Sequence, residues 1–304
     1  MDKEYLLKIT AEFCETSPTN FLSPIAETEE ELAELKRLFY ANGYNITNAG
    51  GSDDWEMLNR GKDNAYAGLR FFDKPIIAFG SASDPLYKRL QEPGVVGSHH
   101  ALPADWVTNA KTVISIYMPH SDAIVDSNSD PVVPSMQWRY GRADGQQHLL
   151  ATGALVRDAV IEAGYKAVMP YDASNYWATV GVSKDESKPT YSSNWSERHV
   201  GWVAGLGTFG LMTNFISKLG CCGRMISIIT DWEALIDTKD YEGVYDYCNK
   251  CKLCFKACPV GALTDEGKSI DTCQNFIRKM TADTHPHVGC AKCMTGMPCA
   301  KSRC

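Results

Sequence analysis

Four cysteines follow one another at short intervals in the run Cys248-Asn-Lys-Cys-Lys-Leu-Cys-Phe-Lys-Ala-Cys-Pro259. The spacing is C-x2-C-x2-C-x3-C-P, which is typical of bacterial loops that bind [4Fe-4S] clusters. A loop with a thiolate at every third residue can surround one cubane, while the fourth cysteine is turned away from it. Pro259 has no N–H and a fixed φ, which helps to direct the chain off this loop. The run therefore predicts an iron–sulfur site.

A second set of cysteines lies downstream of this run. In two-cluster ferredoxins the fourth cysteine of such a run binds the other cluster, so we predict two groups of four thiolates. These are Cys248, Cys251, Cys254 and Cys299 for one cluster, with Cys304 as the alternative to Cys299, and Cys258, Cys273, Cys290 and Cys293 for the other. Structural zinc is the competing interpretation of C-x2-C pairs, but this spacing is much less typical of zinc.

The cysteines are unevenly distributed along the 304 residues. Nine of the twelve fall between Cys248 and Cys304. A chain end this short cannot build a sufficient hydrophobic core by itself, and bound clusters would replace that core. We therefore predict two domains, with a substrate- and cofactor-binding domain at 1–240 and a two-cluster domain at 241–304.

The first 240 residues contain alternating helix and strand patterns. We predict helices at 28–43, 146–163 and 197–204, strands at 112–118, 165–170 and 225–230, and a glycine-rich turn at 205–210. This alternation indicates an α/β or α+β layer structure. For the histidines at 99, 100, 120 and 148, packing is a more frequent role than metal binding.

Charge and hydropathy exclude some classes of function. The formal net charge of −7 is opposite to the basic excess of most nucleic-acid-binding proteins, which disfavours a nucleic-acid partner. The apolar runs are too short to cross a bilayer, and the start has no pattern of a signal peptide. We therefore expect a cytoplasmic protein without membrane segments, whose many cysteines serve metal or redox chemistry.

Two stretches of the sequence resemble segments of epoxyqueuosine reductases and corrinoid-dependent reductive dehalogenases. The AGLG..G segment of these families resembles Glu197-Arg-His-Val-Gly-Trp-Val-Ala-Gly-Leu-Gly-Thr-Phe-Gly210. Their R…TD strand resembles the following stretch from Arg224 to Asp231. The same families carry the C-x2-C-x2-C-x3-C-P run, a lone cysteine at the head of a helix, here Cys273, and a closing cysteine group. The resemblance implies a nitroreductase-like α/β domain followed by a bacterial two-[4Fe-4S] ferredoxin-like domain.

The resemblance also implies a reductase activity. An external low-potential donor, such as a ferredoxin or flavodoxin, would pass electrons through both clusters to a base-off cobalamin, which would reduce a small-molecule substrate. Tyr191 stands where epoxyqueuosine reductases carry their proton-donating aspartate, and a tyrosine donor is characteristic of the dehalogenases. The segment that corresponds to the cofactor-binding region contains Gly205, Leu206, Gly207 and Gly210.

Two departures from the family pattern leave other functions open. Leu211-Met212 replaces the usual Lys/Arg-Asn pair, and five residues separate Cys293 from Cys299 where the relatives have three. The first alternative is a non-catalytic electron carrier or reductive activator of a separate corrinoid protein. The others are epoxyqueuosine reduction on tRNA and a flavin in place of the corrinoid, since a fold does not decide its cofactor.

Overall fold

The structure is a computed structural model that describes residues 1–41, 63–179, 187–284 and 287–304. Its helices are α1 Lys3–Thr16, α2 Glu29–Ala41, α3 Leu86–Leu90, α4 Pro103–Trp106, α5 Asp122–Ser127, α6 Met136–Ala143, α7 Gly145–Glu162, α8 Glu197–Ala204, α9 Leu253–Lys256 and α10 Ile270–Met280. Its strands are β1 Ile76–Ser81, β2 Thr112–Pro119, β3 Ala167–Val168, β4 Gly207–Phe209, β5 Phe215–Ser217, β6 Gly223–Thr230, β7 Leu263–Thr264 and β8 Gly267–Lys268. No helix in these ranges is both long and apolar enough to cross a membrane.

A four-stranded antiparallel sheet forms the core, with the strand order β1-β2-β6-β3. The two central strands pair so that Val113 lies opposite Ile229 and Tyr117 opposite Met225. Every residue of β2 except the last is buried. A strand with one face in water would alternate between buried and exposed residues, so both faces of this sheet are covered.

Two helices cover the two faces of the sheet. A Cβ built on Gly153 of α7 would lie 3.0 Å from Cγ1 of Ile226, and one built on Gly201 of α8 would lie 2.1 Å from Cε of Met225. Successive residues of a strand point to opposite faces, so α7 and α8 lie on opposite sides of β6. The mixed α/β fold predicted from the sequence is confirmed.

Most predicted elements occur in the structure, with two corrections. The predicted turn at 205–210 is a helix cap followed by β4: Gly205 ends α8 at φ 102°, and the chain then pairs with β5. The predicted strand at 165–170 is reduced to the two residues of β3, because a 3-10 turn begins at Pro170. The predicted helix at 28–43 is α2, and residues 42–43 lie outside the described ranges. The domain boundary near residue 240 stays a prediction.

The C-terminal cysteine segment, residues 241–304, consists of short elements and loops that pack against the sheet. The backbone N–H of Cys221, just before β6, donates to the carbonyl of Cys299 at 2.8 Å, and that of Cys222 donates to Ala300 at 3.2 Å. Lys301 makes an ion pair with Asp122 of α5 at 2.7 Å. Strand β6 and α5 therefore position this segment.

The contact between β1 and α8 leaves no space for a side chain at Gly80. A Cβ at this residue would lie 2.6 Å from Cα of Ala204, so Gly80→Ala must displace a helix backbone. We expect a loss of about 1–3 kcal/mol in the free energy of unfolding, measured by denaturant unfolding under anaerobic conditions. Ser115→Ala in β2 is the control, because it removes a buried hydroxyl that has no hydrogen-bond partner in the described residues. Equal losses in both variants would contradict this account of the helix contact.

Candidate iron–sulfur centre and adjoining cleft

The loops between the clustered cysteines share an unusual backbone conformation. Lys250, Lys252 and Ala291 adopt φ values of 57°, 59° and 59°, and each lies within a different C-x2-C gap. A residue other than glycine in the left-handed region costs about 1–3 kcal/mol. Such reversals aim successive backbone N–H groups into concavities that bind anions, including iron–sulfur clusters. The conformation of all three gaps therefore suits a bound cluster.

The first cysteine group surrounds Cys254, which is buried near the start of α9. Burial, together with three neighbouring thiols, raises the pKa of this thiol to about 11. These neighbours are Cys248, Cys299 and Cys251. Cys304 is exposed and lies near Cys299. The structure thus brings together the four residues predicted for the first cluster, with the alternative ligand beside them.

The second cysteine group surrounds Cys293. Burial raises the pKa of this thiol to about 12, with further contributions from the nearby thiols of Cys290, Cys273 and Cys258. The backbone N–H of Ala262 donates to Sγ of Cys258 at 3.2 Å. Backbone N–H donation to sulfur is one means by which proteins stabilise cluster thiolates. These are the four residues that the sequence predicts for the second cluster.

The donors in both groups are thiols, which are the ligands of iron–sulfur clusters. Each of the twelve cysteines is a free thiol. Within the described ranges, no three His, Cys, Asp or Glu side chains converge closely enough to hold one metal ion. The four thiolates of a cubane bind four different irons and therefore stand farther apart than the ligands of a single zinc ion.

Cys221 is a further thiol that the sequence interpretation did not assign. Its Sγ lies 4.0 Å from Sγ of Cys299, and this contact is the main cause of the raised pKa of Cys299. The only feature of the sequence that could have indicated this thiol is the Cys221-Cys222 doublet before β6. Because the two thiols are far apart in the chain, their proximity depends on the packing of the C-terminal segment against β6.

The second cysteine group is fixed to the helices α5 and α6. The side-chain amide of Asn128, which follows α5, donates to the carbonyl of Cys290 at 2.8 Å. Lys292 donates to Oδ1 of the same asparagine at 2.7 Å. Arg139 of α6 donates to Oγ1 of Thr284 at 3.0 Å. Gly289, next to Cys290, packs against Arg142, so the last turn of α6 also lies beside this group.

A cleft lined by three arginines adjoins this helix; we call it the arginine cleft and define it by Arg142 of α6, Arg198 of α8 and Arg224 of β6. Arg142 and Arg198 are exposed to water, yet the surrounding protein lowers the pKa of both guanidinium groups. Side chains that meet water while protein atoms surround them lie on a concave part of the surface. Burial, and then the charge of Arg142, lower the pKa of Arg224 to about 10.

An acidic side chain and two tyrosines lie close to the arginine cleft. Burial raises the pKa of Glu197 to about 7, and neither carboxyl oxygen has a hydrogen-bond partner in the described residues. The charge of Glu197 acts on both Tyr171 and Tyr176, whose ring centroids are 5.0 Å apart. A carboxyl group with a pKa near 7 can donate or accept a proton at neutral pH. The sequence interpretation gave Glu197 no chemical role.

For the predicted proton donor and the predicted cofactor-binding residues, the structure gives the backbone conformation and the packing. Tyr191 is half-buried in a turn with φ 54°, and its catalytic role stays a prediction. A Cβ on Gly207 would lie 2.1 Å from the carbonyl oxygen of Ile216, and one on Gly210 would lie 2.2 Å from Sδ of Met212. These glycines thus allow close packing within the protein. Cofactor binding stays a prediction for these two glycines. The same holds for Gly205 and for the buried Leu206.

The histidines are engaged in packing. His100 stacks on Trp195 with ring centroids 5.4 Å apart, and His120 stacks on Phe72 at 4.7 Å. Burial lowers their pKa values to about 4 and about 3. His148 forms a buried hydrogen bond with Thr19 at 2.8 Å. These environments agree with the packing role expected from the sequence.

Comparison with known proteins supports a ferredoxin-type segment and a shared fold. The model of the 4Fe-4S binding domain family matches residues 241–264. A catabolic reductive dehalogenase structure has a TM-score of 0.50 and 13% identity, covering 99% of this chain and 37% of that chain. Epoxyqueuosine reductase with an epoxyqueuosine-modified tRNA-Tyr stem loop has a TM-score of 0.48 and 17% identity, covering 89% and 67%. The Bacillus subtilis epoxyqueuosine reductase has a TM-score of 0.45 and 16% identity, covering 90% and 67%. No curated protein matches the sequence.

The predicted resemblance to these two families is confirmed, and so is the C-terminal 4Fe-4S segment. At 13% identity, the likeness to the dehalogenase structure shows the fold alone. The chain spans about two thirds of the length of the epoxyqueuosine reductases and 37% of that of this dehalogenase. Activity, substrate and cofactor must therefore be argued from the residues of this chain.

The pKa of Glu197 predicts a dependence of stability on pH. This pKa is about 7 in the folded chain against 4.5 ordinarily, so between these values the folded state keeps a proton that the unfolded chain has lost. The free energy of unfolding should therefore fall as the pH rises from about 4.5 to 7, by about 1–3 kcal/mol. Denaturant unfolding across this range should show the fall in the wild type and a smaller one in Glu197→Gln.

Glu34→Gln is the matched control for this measurement. Glu34 is exposed on α2, and its hydrogen bond with Arg37 lowers its pKa below the ordinary value, so it remains charged throughout the range. The control should follow the wild-type curve. Parallel curves for the wild type and Glu197→Gln would show that Glu197 does not titrate as described.

Proposed function

We propose that this chain is an iron–sulfur reductase that passes electrons through two [4Fe-4S] clusters to a substrate site in the arginine cleft. The observation that carries the proposal is the gathering of eight cysteines into two groups, the second of which lies beside α6 and hence beside Arg142. A chain of clusters next to exposed arginine side chains can deliver electrons to a molecule that these arginines bind. The match to the 4Fe-4S binding domain family at residues 241–264 supports the cluster chemistry.

We assign Cys248, Cys251, Cys254 and Cys299 to the first cluster, and Cys258, Cys273, Cys290 and Cys293 to the second. The fourth ligand of the first cluster is the one that the sequence left open. Cys299 is 9% exposed and adjoins Cys254, whereas Cys304 is exposed. The backbone carbonyl of Cys299 accepts from Cys221 at 2.8 Å, while Cys304 donates to Tyr247 over a longer 3.4 Å. The shorter bond and the burial favour Cys299.

Cobalamin is the cofactor that we propose for the large domain. Support comes from the segment at 197–210 and from the shared fold with the reductive dehalogenase. When bound, a corrinoid supplies a strongly reducing cobalt centre, while the protein supplies orientation and protons. We keep Tyr191 as the proposed proton donor. Glu197 is a second proton source near neutral pH, because burial places its pKa at about 7.

The partners that we propose are a small-molecule substrate and an external low-potential donor, such as a ferredoxin or flavodoxin. The net charge of −7 disfavours a polyanionic partner such as tRNA, although one similar structure contains a tRNA stem loop. Twelve free cysteines suit a reducing compartment, so we place the protein in the cytoplasm.

An electron carrier for a separate corrinoid protein is the second candidate. It is favoured by Leu211-Met212, which replaces the polar pair of the relatives, since Met212 is buried against Gly210. Catalytic turnover of a small substrate by the isolated protein would exclude this candidate. A stable complex with a corrinoid protein, isolated anaerobically, would favour it.

Iron analysis tests the cluster assignment. Protein reconstituted anaerobically with iron and sulfide should contain about eight iron atoms per chain, as expected for two cubanes. Cys254→Ser should lose about half of this iron, whereas Cys304→Ser should retain it and keep the same paramagnetic resonance signals on reduction. If Cys304→Ser loses iron and Cys299→Ser does not, Cys304 and not Cys299 is the fourth ligand of the first cluster.

Cobalamin retention tests the proposed cofactor. The reconstituted protein, incubated with cobalamin and desalted anaerobically, should retain about one cobalt per chain with a base-off absorption spectrum. Bovine serum albumin carried through the same procedure controls for non-specific retention. If all the cobalamin leaves on the column, the corrinoid proposal is wrong, while the iron content of the same sample still tests the clusters.

A further inference from the structure

The arginine cleft gathers positive charge that no ion pair neutralises within the described residues, although Glu197 lies close to it. The other arginines with ion pairs in the described residues, such as Arg37, Arg157 and Arg303, contact carboxylates at 2.6–2.8 Å. None of the three arginines of the cleft forms such a pair there. Their charges instead oppose one another: Arg142 lowers the pKa of both Arg198 and Arg224. Like charges held together in a recess are stabilised by a bound anion.

The three guanidinium groups differ in how firmly the protein holds them. Arg224 donates to the backbone carbonyl of Arg142 at 2.6 Å and to Oε1 of Gln146, so it is fixed in place. Within the described residues, the side chain of Arg142 makes one long contact, 3.5 Å, with the carbonyl of Val288. Arg198 forms no side-chain hydrogen bond with the described residues. Two of the three arginines thus keep most of their N–H donors for a ligand.

The backbone next to the second cysteine group makes room for Arg142. A Cβ at Gly289 would lie 2.9 Å from Cδ of Arg142, so the arginine lies directly against the residue that precedes Cys290. The rings of Tyr171 and Tyr176, whose planes are tilted by 32°, contribute an aromatic surface near the same charges. An anionic molecule held here would lie beside the proposed second cluster.

We propose that the arginine cleft binds the anionic group of the substrate, a carboxylate or a phosphate, with the rest of a small molecule against the tyrosines. Arginine is suited to this task because its planar fork can bind two oxygens of such a group at once. That the bound anion is a substrate rests on the proposed reductase function. The binding of an anion at this cleft does not depend on it.

Calorimetric titration of reconstituted protein with benzoate and with inorganic phosphate, at constant ionic strength in chloride, tests this proposal. We expect saturable binding of at least one of them to the wild type. Affinity should fall about tenfold or more in Arg198→Gln and in Arg142→Gln, the loss expected for a charge-assisted hydrogen bond. Arg37→Gln, at an exposed arginine on α2, should bind as the wild type does. Absence of binding, or equal affinity in all four proteins, would overturn the proposal.

A competition experiment determines whether the anionic group that binds at the cleft belongs to the substrate or to the cofactor. Cobalamin carries a phosphate in its nucleotide loop, and cobinamide lacks it. If the probe still binds to protein loaded with cobalamin, the cleft is a substrate site. If cobalamin displaces the probe and cobinamide does not, the arginines hold the cofactor's phosphate and the substrate assignment is wrong. The titration also yields a result when cobalamin fails to bind, so failure of the corrinoid proposal is distinguishable from failure of this one.

Discussion

Backbone hydrogen bonds between the start of β6 and the end of the chain hold the C-terminal cysteine segment on the sheet. Cys221 and Cys222 donate to the carbonyls of Cys299 and Ala300 at 2.8 and 3.2 Å. These bonds lie in a buried region, where an unpaired backbone group would be costly. They fix Cys299 against the sheet while Asn128 fixes Cys290, so both cysteine groups are positioned by the α/β core.

The same strand that anchors the cysteine segment also contributes to the arginine cleft. Arg224 follows Cys222 by two residues, and its hydrogen bond to the carbonyl of Arg142 joins β6 to the end of α6. A few residues therefore connect the cysteines, the helix and the cleft. This arrangement explains how a segment with little hydrophobic core of its own can hold two groups of thiols beside a recess in the larger region.

The wider spacing of the closing cysteines also has a structural counterpart. Five residues separate Cys293 from Cys299, and this stretch lets one cysteine join the second group while the other reaches the first. Cys221 then adds a thiol at 4.0 Å from Cys299. A hydrogen-bond donor next to a cluster ligand is one of the features that tune the potential of such clusters, so Cys221 is positioned to affect the cluster that we propose at Cys299.

Local spacing in the sequence determined the cluster-type loop and most of the secondary structure, because a C-x2-C-x2-C run and periodic apolar residues act over short distances. The sequence also predicted the two groups of cysteines that the structure brings together. It did not predict β4, whose pairing depends on β5, nor the position of Cys221 beside Cys299. The arginine cleft combines residues from α6, α8 and β6, which are far apart in the chain. Only tertiary packing brings such charges together, and it buries Glu197 enough to raise its pKa.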